Sequence, residues 1–342
     1  MCIPDEHTVP RVIVYGSLGR LRPDQDQSSP LERFLYGPDA GRILPDRLRN
    51  PQGMTLWTDR LLVCDQGVPE LVSVDLSTGR RRSWGDADHP PRCPVDVASD
   101  TEGNVYVADT TLGAVLLYDA HQRFRGQLVN PAAGPFRAAA VRSRPSAVLV
   151  RDNTLYVGDV GTHTLARYDL ARQRWLVPLV PDRDLPPLVA PVGLCATRDG
   201  VILVVEGVGG IVHRVMPDGQ WSRPIGAPGR GPGQFVRPKH VCCTPSGLIL
   251  VTDAGRQSVL VFDPTGRFLL EVAGGPEWPG FTFPAGIVAL ASLDAEAVMQ
   301  HMNTNGATQP DECVIVSDTL SDASLTVLGV IVREPQEQTS GR

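Results

Sequence analysis

The clearest hydrophobic pattern in the chain runs from Pro238 to Phe268. Short apolar, β-branched runs alternate there with clusters of Gly, Pro, Asp and Ser. Lys239 to Cys243, Leu248 to Thr252 and Val259 to Phe262 each span four or five residues, too few for helices. Pro245-Ser246-Gly247, Asp253 to Ser258 and Asp263-Pro264-Thr265-Gly266 read as turns. The pattern therefore predicts a meander of antiparallel strands. Consecutive apolar residues also predict a sheet that is hydrophobic on both faces. Such a sheet buries nothing alone and needs copies of itself to pack against.

Five more copies are present. Their opening prolines are Pro51, Pro94, Pro145, Pro191, Pro238 and Pro284, spaced by 43 to 51 residues. An acid closes the second strand of each, at Asp65, Asp109, Asp159, Glu206, Asp253 and Asp318. The second strands match, as in Leu61-Leu62-Val63-Cys64, Val105-Tyr106-Val107-Ala108 and Leu155-Tyr156-Val157-Gly158. An aromatic residue recurs after the third strand at Phe124, Trp175, Trp221 and Phe268. A period in the forties with several strands per repeat predicts an all-β, six-bladed β-propeller.

The copies also resemble a known repeat. Pro51-Gln52-Gly53-Met54, Leu155 to Asp159, and the glycine-rich Gly226 to Phe235 before Pro238 are similar to the NHL repeat over nearly the whole chain. That resemblance implies the propeller fold. It implies no single activity, because NHL-type propellers serve as protein platforms, RNA-binding domains and enzymes such as the peptidylglycine amidating lyase.

The ends fit a closed ring. Residues 1–10 and 334–342 read as tails, and the propeller spans 11–333. Arg11 to Gly16 is a strand without a repeat of its own, while the last copy ends at Leu325 to Val332 without a fourth strand. The N-terminal strand is therefore expected to complete the C-terminal blade and to remove a raw sheet edge. Residues 17–50 form a long connection to the first full copy. The last blade carries an insertion, 291–311, in which Ser292 to Met302 reads as a short helix with Leu293, Val298, Met299 and Met302 as its apolar stripe.

Composition changes this picture little. The 342 residues include 34 Gly and 31 Pro, which fall in turns, and the net charge of −6 argues against a nucleic-acid or anionic-membrane surface. The N-terminus lacks a signal-peptide pattern and no apolar run reaches membrane-spanning length, so the expectation is a cytoplasmic protein with no membrane partner. Seven cysteines with no paired spacing fit reduced thiols, and those on strands (Cys64, Cys195, Cys242, Cys243, Cys313) read as small buried hydrophobes.

Candidate chemistry is sparse. At the second position after each opening proline stand Gly53, Asp96, Ala147, Gly193, His240 and Gly286, where the inner strands crowd the channel mouth. Asp96 and His240 face each other across the six-fold ring, too far apart for a direct bond. Either a water, an ion or a small ligand bridges them, or, as the leading expectation, His240 has a structural role and bonds a neighbouring strand. Beside His240 stands Lys239, the single lysine among 32 basic residues. His163 lies on the same face. Ala120 to Arg151 carries Arg123, Arg125, Arg137, Arg142, Arg144 and Arg151 with no acid. This basic patch is either a solvated surface or a site for an anion or an acidic partner. The amidating lyase implies zinc held by several histidines at such strand openings. This chain offers His240 and, more weakly, Asp96, so no cofactor is expected; a divalent metal on the channel axis is the alternative. The repeated acids are expected to bond turn backbone.

The sequence thus points to a non-catalytic platform, most naturally for a protein partner. The alternative is a small-molecule lyase or hydrolase with its site at the channel mouth.

Overall fold

The computed structural model describes residues 10–17, 48–131, 142–276, 278–290, 292–301, 310–321 and 324–331. Its strands form six four-stranded antiparallel sheets, the blades of a propeller. Blade 1 is built from Pro51–Trp57, Arg60–Asp65, Glu70–Asp75 and Arg81–Trp84, and blade 2 from Pro94–Ser99, Val105–Asp109, Ala114–Tyr118 and Phe124–Leu128. Blade 3 comprises Pro145–Arg151, Thr154–Asp159, Thr164–Asp169 and the two-residue strand Arg174–Trp175. Blade 4 comprises Pro191–Ala196, Ile202–Glu206, Ile211–Val215 and Trp221–Ile225, and blade 5 Pro238–Cys243, Ile249–Asp253, Ser258–Phe262 and Phe268–Val272.

Blade 6 takes Pro284–Leu290, Glu312–Asp318 and Leu325–Ile331 from the C-terminal end. Its fourth strand is Arg11–Ser17, which pairs antiparallel with Leu325–Ile331 (Val12 opposite Val330, Val14 opposite Leu328). The ring is closed by the N-terminal strand, as the unpaired strand in the sequence predicts.

The continuous apolar runs now have a physical reason. Every residue of Ile249–Asp253 is buried, because the strand has a neighbouring blade on each side. Leu250 faces blade 6, in a cluster with Val314, Val316 and Leu328. Ile249 and Val251 face blade 4, with Leu203, Val205 and Val212. Alternation sends successive side chains into opposite seams, so both positions must be apolar. Six such clusters occupy the six seams. The core is thus divided into small units that repeat around the axis.

The helix is Ser292–His301. It lies in the connection between the first and second strands of blade 6, on the end of the ring opposite the opening prolines. Ala295 and Val298 are buried with Met54, Leu61 and Leu290, and Met299 packs against the same cluster. The helix therefore seals the seam between blades 6 and 1 rather than its own blade alone. Leu293 and Met302 of the expected stripe lie outside the described side chains.

Candidate functional site at the channel mouth

In every blade the pairing register slips immediately after the opening proline. This bulge re-aims the second residue toward the axis. Three of the six second residues are glycines because nothing larger fits. A Cβ at Gly53 would lie 2.1 Å from Asp96 Oδ1, one at Gly193 2.7 Å from His240 Cα, and one at Gly286 2.4 Å from the Gln52 carbonyl oxygen. With these strands packed so closely, the axis is narrow.

That narrowness corrects the expected separation of Asp96 and His240. His240 Nε2 stands 3.4 Å from Asp96 Oδ1, directly across the ring, with no room for a bridging species on that line. The approach is an ion-pair contact without hydrogen-bond alignment, and neither ring nitrogen of His240 has a hydrogen-bond partner among the described residues. Asp96 is only 2% exposed and His240 9%. Burial favours the neutral imidazole, but the Asp96 carboxylate outweighs it, and a smaller contribution comes from Cys195. The histidine is held above its ordinary range.

Asp96 also has a structural task. Its Oδ2 accepts from the backbone N–H of Val148 in blade 3 at 2.9 Å. Hydroxyls make comparable links at other seams: Thr252 Oγ1 donates to the Ala285 carbonyl, Ser317 Oγ to that of Gln52, and Ser146 Oγ to that of Pro191. Both Asp96 oxygens are engaged. Among the described residues no group of three His, Cys, Asp or Glu gathers to hold a metal ion. The pair therefore does not fit a resident divalent metal.

The six repeated acids bind backbone, as expected. Asp253 Oδ1 accepts from the N–H groups of Arg237, Gly255 and Arg256 at 2.9 to 3.0 Å, and Oδ2 from Val236 at 2.7 Å. The other blades repeat the scheme, with Arg49 and Asn50 on Asp65, Arg92 and Cys93 on Asp109, Arg144 on Asp159, and Thr282 and Phe283 on Asp318. Glu206 is one methylene longer and reaches Val189 and Ala190. Its turn has glycine at 209, where a Cβ would press on Glu206 Cγ at 2.9 Å.

This scheme has a second product, which motif reading missed. In four blades one of the two residues before the opening proline is an arginine: Arg49, Arg92, Arg144 and Arg237. All four are exposed, and each has its backbone N–H fixed by the blade's turn acid. Lys239 joins them. Its ammonium lies 5.8 Å from the centre of the Phe283 ring, with the Arg237 guanidinium 5.3 Å from the same centre. Burial, and then the Arg237 charge, lower the Lys239 pKa. None of these five cations has an acidic partner among the described residues. The signal lay in the alignment itself, in the columns just before the prolines.

The other sequence candidates are dispersed. Lys239 faces the rim rather than the Asp96–His240 pair. His163 is exposed, with Nδ1 2.5 Å from the Val189 carbonyl oxygen. Of the basic patch, Arg142 and Arg144 stand beside the opening proline of blade 3. Arg123 and Arg151 lie at turns on the opposite end of the ring, where Arg151 binds the Thr197 carbonyl and Asp152. Arg125 approaches Asp119 at 3.9 Å. Arg137 lies outside the described residues. The described arginines of the stretch therefore do not form one surface, because consecutive turns alternate between the two ends.

No family model matches the sequence, and no curated protein does. The likeness to the NHL repeat thus rests on the motifs alone. Solved structures do match over most of the chain. A streptogramin B lyase superposes with a TM-score of 0.57 at 13% identity, covering 95% of this chain and 100% of the other. A gluconolactonase from Xanthomonas campestris gives 0.59 at 12%, covering 95% and 91%. A chain of the nidogen/laminin complex gives 0.52 at 16%, covering 72% and 87%. At these identities the likeness carries the propeller fold and no activity.

Proposed function

We propose that the protein is a recognition propeller that takes an acidic segment of a protein partner on the face where the inner strands open. The observation that carries this reading is the cationic rim: Arg49, Arg92, Arg144, Arg237 and Lys239, contributed by four blades and without acidic partners among the described residues. The chain as a whole is acidic, at −6, so the rim is a local reversal of sign rather than general basicity. Each exposed cation adds little to affinity alone, about 0.2–1 kcal/mol, but a ring of fixed charges sets orientation and on-rate. The turn acids hold the arginine backbones in place, so binding does not have to order them.

The test is capture from native extract on the immobilised parent, on a variant with Arg144→Glu, Arg237→Glu and Lys239→Glu, and on Arg123→Glu/Arg125→Glu as a remote control. Partners should be retained by the control and lost from the rim variant, and their binding should weaken with salt. Identical capture by all three proteins would overturn the reading.

A second reading keeps the site but changes its ligand. His240, with neither ring nitrogen hydrogen-bonded among the described residues and its proton affinity raised by Asp96, has the character of an acid–base group, which favours a small-molecule lyase or hydrolase. A bound metabolite on purified parent, absent from His240→Ala, would support it.

A further inference from the structure

Blades 4 and 5 meet through their innermost strands, and each contributes a cysteine to the seam. On Pro191–Ala196 the position of Gly193, whose Cβ would touch His240, shows which face of the strand looks toward blade 5. Cys195, two residues on, looks the same way. On Pro238–Cys243 the alternation runs in the opposite sense. Cys242 is buried toward blade 6 with Val314 and Val316, whereas Val241 and Cys243 pack toward blade 4 with Leu203 and Val205. Cys195 and Cys243 therefore meet in the seam between blades 4 and 5, packed against the same cluster, where Cys195 Sγ also lies 3.5 Å from the Ala196 carbonyl oxygen as a donor.

Two more observations separate this pair from the other cysteines. Both are half-buried, while Cys64, Cys242 and Cys313 are buried and Cys93, also half-buried, stands beside the Gln66 amide at 3.6 Å. The pair is also electronically unequal. The neighbouring Cys243 thiol holds the Cys195 thiol below its ordinary range against the opposing effect of burial, with help from the nearby His240 charge. The same pairing with Cys195, followed by burial, pushes Cys243 up. One sulfur is set to attack and the other to remain protonated until it is needed.

We propose that Cys195 and Cys243 are a redox-active thiol pair that closes to a disulfide with hydrogen peroxide as oxidant. The Cys195 thiolate attacks one peroxide oxygen, the O–O bond breaks, and the leaving oxygen departs as water after taking up a proton. Cys195 is thereby oxidised to a sulfenic acid. The Cys243 sulfur then attacks the Cys195 sulfur, the S–O bond breaks, a second water leaves and the S–S bond forms. Two thiols and one hydrogen peroxide give one disulfide and two waters. The bond would staple blades 4 and 5 through the strand that carries Lys239 and His240.

The experiment uses the full chain, reduced, desalted and exposed to stoichiometric hydrogen peroxide, followed by non-reducing peptide mapping. A peptide joining Cys195 to Cys243, lighter by two hydrogens and reopened by reductant, is the expected product. Cys243→Ser should stop at a Cys195 sulfenic acid that dimedone traps, and Cys195→Ser should leave Cys243 unmodified. Because the parent measurement needs no substitution, a variant that misfolds leaves the test intact. The proposal fails if the two cysteines stay alkylatable after oxidation, if the link joins Cys242 instead, or if it forms equally in urea.

Discussion

The turn acids connect the fold to the rim, and Asp253 offers a quantitative test of that connection. The residue is fully buried and accepts four backbone N–H groups, three on Oδ1 and one on Oδ2. Asp253→Ala deletes all four bonds. A hydrogen bond to a charged acceptor contributes about 1.5–3 kcal/mol. Val236 and Arg237 are exposed, so part of the loss is recovered by water. The net cost is then about 4 kcal/mol, a large share of the ~5–15 kcal/mol available to a domain. Asp253→Asn keeps one oxygen for three donors and turns an amide nitrogen toward the Val236 N–H, so it should cost about 2 kcal/mol, one charged bond. Urea unfolding followed by tryptophan fluorescence measures both, and the denaturant slope should stay constant. The reasoning fails if Asp253→Ala costs under about 1 kcal/mol, the scale of a neutral surface change, or if Asn is as damaging as Ala. A further consequence is that Asp253→Asn should weaken partner capture, because Arg237 loses its fixed backbone.

Three other outcomes follow from the same geometry. Deleting residues 1–17 removes the strand paired with Leu325–Ile331 and should cause aggregation or a sharp fall in melting temperature; a truncated chain that melts like the parent would refute closure. Gly193→Ala places a Cβ against His240 Cα and the Lys239 carbonyl oxygen, backbone atoms that cannot yield, and should cost about 1–3 kcal/mol in thermal or urea unfolding. The raised His240 pKa makes its contribution to stability complete below the unfolded histidine value of about 6.5 and lost as pH rises through the folded value. An NMR titration should place His240 above 6.5, and Asp96→Asn should drop it, since burial then acts against little more than Cys195; an unchanged titration in that variant would sink the assignment.

Architecture was legible in the sequence because the propeller is written redundantly. Six opening prolines, six closing acids and six two-sided apolar strands each report the same unit, so one irregular copy does not hide the rest. Even Glu206 in place of Asp is compensated locally, by the glycine at 209. The closure of the ring was legible for a different reason. A lone strand at one end and a missing strand at the other leave one arrangement that removes both edges. The helix position could be read, but its partner could not, because nothing in Ser292–His301 announces that Val298 will meet Met54 of blade 1.

The site was harder to read because distance along the axis is set by what is absent from the side chains. Asp96 and His240 lie in blades opposite each other, and a ring of ordinary residues would have held them apart. Glycine at 53, 193 and 286 brings the strands close enough for contact at 3.4 Å. The same logic explains the two readings of the arginines. Along the sequence, Arg123 to Arg151 looks like one patch, yet each antiparallel turn sends its residues to the other end of the ring. Residues that share a column of the repeat share an end instead. Arg49, Arg92, Arg144 and Arg237 are far apart in the chain, and the columns before the opening prolines bring them onto one rim. In a circular repeat protein, surface chemistry is therefore better sought down the columns of the aligned copies than along the chain, and for this propeller that search leads to a cationic mouth above an Asp–His contact.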